Sequence, residues 1–149
     1  MSTVKLSTIR TRFATSIINI GKGLHQSKFP YEAFGKTTNS LAHKAFAIGV
    51  GSSTAATDRQ KTNIGCYITT DFNVQLAYRL KPLDQLADVN NTLDIENDII
   101  AAVLNRQDGN LYGNTHIRLI STSRNITASG EYYLSVLEFE VLNYIPLTE

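Results

Sequence analysis

Apolar residues recur as Ile9, Phe13, Ile17, Ile20 and Leu24, at the three- and four-residue spacing of one helix face. Arg10, Arg12, Thr15, Asn19 and Lys22 occupy the other side, so this helix is expected to lie on an apolar layer with its polar side in water. Ser7 is the expected N-cap, and Gly21 and Gly23 suit the end of the helix. From Phe29-Pro30 to Ser40 the composition is that of a loop, with Tyr31 and Phe34 expected to pin it to the body.

The period then changes from helical to two. Phe46, Ile48 and Val50 alternate with Ala45, Ala47 and Gly49, which predicts a strand with small residues on its second side. A polar stretch from Gly51 to Asn63 is expected to be a long loop. Alternation resumes as Ile64, Cys66, Ile68, Thr70, Phe72, Val74, Leu76, Tyr78 and Leu80. A straight strand of that length would span about 55 Å, more than the roughly 40 Å of a compact domain this size. A bend or bulge near Thr69-Thr70-Asp71 is therefore expected, or a projecting hairpin whose edge needs a partner.

Pro82 ends the strand, and Leu83 to Asn90 reads as a turn or short helix before a second main helix from Leu93 to Arg106. Asn91 or Thr92 would cap it, with Asp94, Glu96 and Asp98 near its positive end. Two strands follow the turn-rich segment Gln107 to Asn114, one over His116 to Ser121 and one over Glu131 to Leu142. These elements predict an α+β fold: one domain over residues 1–149, with a mixed or antiparallel four-stranded sheet and two main helices packed against it.

Composition narrows what such a domain can do. Leu, Ile, Val and Phe number 42 of 149 residues, enough for a proper core, and a net charge of +1 builds no field for polyphosphate or an anionic membrane. The longest apolar run, Ile99 to Leu104, is far shorter than the roughly 20 residues of a membrane-spanning helix. The N-terminal residues lack the unbroken apolar stretch of a secretion signal, which predicts a protein made in a cytoplasm.

Candidate chemistry is sparse. Gly49-Val50-Gly51 lacks the third glycine and the following helix of a dinucleotide-binding turn, and Gly21-Lys22-Gly23 ends a helix where a phosphate loop would begin one. Cys66, the only cysteine, falls on an apolar stripe, where a thiol behaves as a small hydrophobe. His25, His43 and His116 lack metal-ligand spacing, and Asp94 and Asp98 are explained by a helix start. Arg59, Lys61, Arg79, Lys81, Arg118 and Arg124 read as a solvated face or a modest interaction surface. No catalytic, cofactor-binding or metal-binding residue is expected, and no cofactor.

The N-terminal amphipathic helix, the strand pair joined by the 51–63 loop, the helix LDIENDIIAAVLNR and the closing strand YYLSVLEFEVLNY together resemble the tail terminator proteins of tailed bacteriophages and prophages, the lambda-like small terminators. The resemblance covers nearly the whole chain and is one of size, order and pattern. It implies a non-enzymatic virion protein of the tail end or neck. Such a protein forms a hexameric ring on the tail tube, stops tube polymerisation and meets the head connector, with DNA only passing through the lumen. Asp58, Arg59, Lys61, Asp71 and Arg79, on the long loop and adjoining strand, are then the expected contacts with neighbouring subunits or the tube. Another neck or head–tail joining protein is the alternative, followed by a small ligand-binding domain or enzyme.

Overall fold

The computed structural model describes residues 5–36, 40–55, 65–104 and 116–146. Their elements are α1 (Leu6–Ile18), β1 (His25–Gln26), β2 (Ala45–Ala55), β3 (Gly65–Arg79), α2 (Gln85–Leu104), β4 (His116–Ile126) and β5 (Tyr132–Pro146). The strands form one mixed sheet in the order β1-β2-β3-β5-β4. Five strands therefore stand where four are predicted. The additional one, β1, is two residues long and parallel to β2, too short to carry a period.

Both helices cover one side of the sheet. Ile9, Phe13 and Ile17 of α1 and Ile95, Ile99 and Val103 of α2 pack on Phe46, Ile48, Phe72, Val74, Leu76, Leu137, Phe139 and Val141. At the centre, Phe72 and Phe139 face each other across β3 and β5, and the Phe13 ring lies 5.2 Å from the first and 5.6 Å, edge-on, from the second. Of the apolar residues that alternate along the β3 stretch of the sequence, Phe72, Val74 and Leu76 are buried, Ile68 is only half-buried, and Ile64 lies outside the described residues.

The second side of the sheet is partly roofed by the segment after β1. Phe34, Tyr31 and Leu41 pack on Ala45, Ala47, Ala77 and Leu134. Gly49 is required there, because a Cβ would lie 2.5 Å from the Tyr31 ring. The small residues alternating along β2 are thus the floor under this segment, and Tyr31 and Phe34 pin it as expected.

Several boundaries differ from the sequence expectation. Lys5, without a side-chain cap, precedes α1, so Ser7 lies inside the first turn and its carbonyl accepts the Thr11 hydroxyl at 3.0 Å. The second helix begins at Gln85, not Leu93. Asn91 and Thr92 are interior, and the buried Thr92 hydroxyl donates to the Asp88 carbonyl one turn back. Its first turns carry no apolar stripe because Leu86 is exposed, and Asp88 turns inward to accept the Lys81 N–H at 2.7 Å. Helix beyond Leu104 falls outside the described residues. Strand β2 runs on to Ala55 into the stretch expected to be loop, and β4 and β5 extend to Ile126 and Pro146. The polar residues of these extensions obscure their period, and pairing with a neighbour holds them in the sheet.

Glu96 therefore sits mid-helix, away from any helix start. It is buried, and its carboxylate accepts from Arg124 (2.6 Å from Nη2, 3.0 Å from Nε) and from the Ser135 hydroxyl at 2.5 Å. Arg124, expected on a solvated face, instead fastens β4 to α2, and the carboxylate holds its guanidinium above its ordinary pKa.

Two stability measurements check this packing. Phe72→Ala is expected to lose about 3–5 kcal/mol in urea unfolding, the cost of emptying a fully enclosed phenylalanine site. Arg124→Ala is expected to lose about 3 kcal/mol, because it strands the buried Glu96 charge with only the Ser135 hydroxyl, whereas Glu96→Gln should lose less.

Candidate functional site

The segment after β1 leaves part of the second side of the sheet open, and the side chains there form polar rows across the strands. In one row the Ser52 hydroxyl donates to the Asp71 carboxylate at 3.2 Å, Asp71 stands directly opposite Glu140, and Arg118 Nε donates to Glu140 at 2.8 Å. Two carboxylates directly opposite each other repel. Arg118 offsets the charge of Glu140, while Asp71 has no ion pair among the described residues. In the next row Ser121 donates to Glu138 at 2.9 Å. The Tyr31 phenol is held above its ordinary pKa, first by burial and then by the charges of Glu138 and Glu32.

Among the described residues both flanks of the sheet are open. Strand β4 is an edge along its eleven residues, with Ile120 and Ile126 exposed. On the other flank β1 pairs with only Ala45 and Phe46, so among the described residues no strand covers β2 from Ile48 to Ala55. That stretch carries no charge and no proline, two of the devices that usually blunt a free edge.

Each edge has one irregularity. Gly51 and Ser52 together oppose Asp71, so the break expected near Thr69-Thr70-Asp71 is realised in the partner strand. On β4, Ile120 is the extra residue between Leu119, opposite Phe139, and Ser121, opposite Glu138. Beyond Thr70 and Val141 the apolar core thins. Ile145 and Ala55 are exposed, and the buried Asn143 amide has no hydrogen-bond partner among the described residues.

The predicted contact residues do not converge. Asp58, Arg59 and Lys61 lie outside the described residues. Asp71 and Arg79 are exposed on the same side of β3, but eight residues, about 26 Å, apart. The Arg79 backbone N–H donates to His43 Nδ1 at 3.1 Å. Gly49-Val50-Gly51 lies within β2, and Cys66 lies on β3 opposite Ile145 with its side chain outside the described residues. Asp98 pairs with Lys22.

Among the described residues no group of three His, Cys, Asp or Glu side chains could hold a metal, and no helix is long and apolar enough to cross a membrane. A groove of about 350 Å³ beside the β4–β5 turn is lined by small or polar residues, among them Ser40, Thr127 and Ser129, with Leu41 the exception. It lacks the apolar walls that enclose most small ligands. Arg118 is among the basic residues expected on an interaction surface, whereas Glu138, Glu140 and the β4 edge are not foreseen as site features. The alternation Glu138-Phe139-Glu140 signals a polar strand side, but no local pattern marks a strand as an edge. No family model matches the chain, and no curated protein matches it in sequence.

His43 supplies a pH-dependent measurement. Its pKa is lowered, first by burial, then by Lys44, Lys81 and Arg79, with Asp88 opposing. Protonation also removes the acceptor that Nδ1 presents to Arg79. The folded pKa lies below the unfolded value, so the His43 contribution is present above pH 6.5 and is lost as pH falls through and below it. Urea midpoints at pH 7.5 and 5.5 should drop more for the wild type than for His43→Gln; equal drops would exclude His43 as a source of the acid sensitivity.

Proposed function

We propose that this protein is a ring-forming structural subunit of a phage or prophage tail neck, a tail terminator that caps the tail tube and presents a face to the head connector. The observation that carries this reading is the pair of sheet edges left free among the described residues. In the order β2-β3-β5-β4 neighbours are all antiparallel, so β4 runs opposite to β2. A second copy placed in the same orientation therefore brings its β4 antiparallel to the first copy's β2, continuing the sheet with its helices on the same side. Such a heterologous contact leaves the same two edges exposed at the ends and is satisfied when copies close into a ring. The element order that resembles the tail terminators supports the identity of the ring, six subunits as its size, and a lumen through which DNA passes.

Size-exclusion with light scattering, followed by electron microscopy with tail tubes, tests the reading. A closed ring seated on tube ends, with tube growth halted, is expected. A ring that binds only the head connector would move the protein to head–tail joining. A monomer at all concentrations, with and without tubes, would exclude the reading.

A further inference from the structure

An antiparallel neighbour must satisfy side-chain direction as well as backbone hydrogen bonds. A slip of one residue turns every side chain to the opposite side of the sheet. Because each free edge carries one extra residue, its alternation switches partway along. On β4 the helix side is taken by Ile117 and Leu119 before the bulge, opposite Val141 and Phe139, and by Thr122 and Arg124 after it, opposite Leu137 and Ser135. On β2 it is taken by Phe46, Ile48 and Val50 before the bulge, and by Ser53 and Ala55 after it, opposite the buried Thr70 and Ile68.

We infer that β4 of one copy pairs antiparallel with β2 of the next with the two bulges facing each other, so that Leu119 stands opposite Ser53, Thr122 opposite Val50, Ile117 opposite Ala55 and Arg124 opposite Ile48. In this register helix-side residues meet helix-side residues on both sides of the bulges. Sliding β4 by two residues sets Leu119 against Ala55 but brings Ser121, on the open side, against Ser53, on the helix side. The stretch Ile117–Arg124 then matches Ile48–Ala55, the part of β2 that β1 leaves uncovered. A foreign strand without a bulge at this place cannot keep both halves in phase, so the bulges blunt each edge toward other proteins and admit a second copy.

Charge favours β2 over a second β4 as the occupant. Strand β4 carries His116, Arg118 and Arg124 and no carboxylate, so a second β4 brings no opposite charge to Arg118, whose partner Glu140 lies in its own copy. Strand β2 has no charge, and beside it Asp71 is exposed without an ion pair.

The inference rests on the ring reading for closure, and cross-linking separates the two. In a Cys66→Ser background, Arg118→Cys and Thr54→Cys are made singly and together. These positions are directly opposite in the inferred register, within the Cα separation that a disulfide spans. Light scattering on each single variant establishes that it folds and assembles as the wild type does. Mild oxidation should then give a ladder up to the full ring from the double variant, and only dimers from the mixed single variants. Arg118→Cys with Ser52→Cys, two residues out of register, should cross-link at least tenfold less. Rings that form without the in-register cross-link, or that cross-link better at Ser52, overturn the inference and leave the ring reading standing. Protein that stays monomeric with and without tail tubes overturns both.

Discussion

Side by side through fifteen residue pairs, β3 and β5 set Phe72 directly opposite Phe139, and the ring of Phe13 closes over both. Much of the core is positioned by this contact. The β3–β5 register aligns Val74 with Leu137 and Thr70 with Val141, making one continuous apolar floor on which α1 and α2 lie. A register slip of one residue would send that floor to the open side and bring Glu138 and Glu140 under the helices. The aromatic cluster thus specifies the pairing, and the pairing specifies where the polar rows and the edges fall.

The second constraint is a buried charge. Glu96 would be expensive inside the fold if it were alone, and its cost is offset by the Arg124 guanidinium and the Ser135 hydroxyl that converge on it. Because these partners come from α2, β4 and β5, the ion pair ties the edge strand to the helical layer. An edge held in this way is preorganised, so little conformational entropy is lost when another strand is added. The uncharged edge of β2 is supported differently, by β3 on one side and by the Tyr31 ring seated over Gly49.

Much of the fold was legible in the chain. The apolar stripe of α1, the alternation in β2 and β3, and the second helix from Leu93 onward follow local periods that neighbouring residues impose on each other. The first turns of α2 were not legible, because Leu86 is exposed and the inward-facing residues there are Asp88 and Thr92, polar types that carry no hydrophobic period. The candidate site was less legible still. Asp71 and Arg79 are both exposed on the open side of β3, but the residues that complete the polar rows, Ser52, Ser121, Arg118, Glu138 and Glu140, come from three other strands.

By itself the sequence determined where most of the helix and strand lies, which side of most of these elements is apolar, and that one sheet with helices would form, because these depend on periods of two and 3.6 written in adjacent residues. Tertiary structure alone decided that β4 and the part of β2 beyond β1 are the edges, that their bulges sit at Ile120 and at Gly51-Ser52, and that Arg124 meets Glu96. Each of these is a relation between residues tens of positions apart. Register and strand order are settled by the summed packing of the whole sheet, and no local stretch of chain carries that sum.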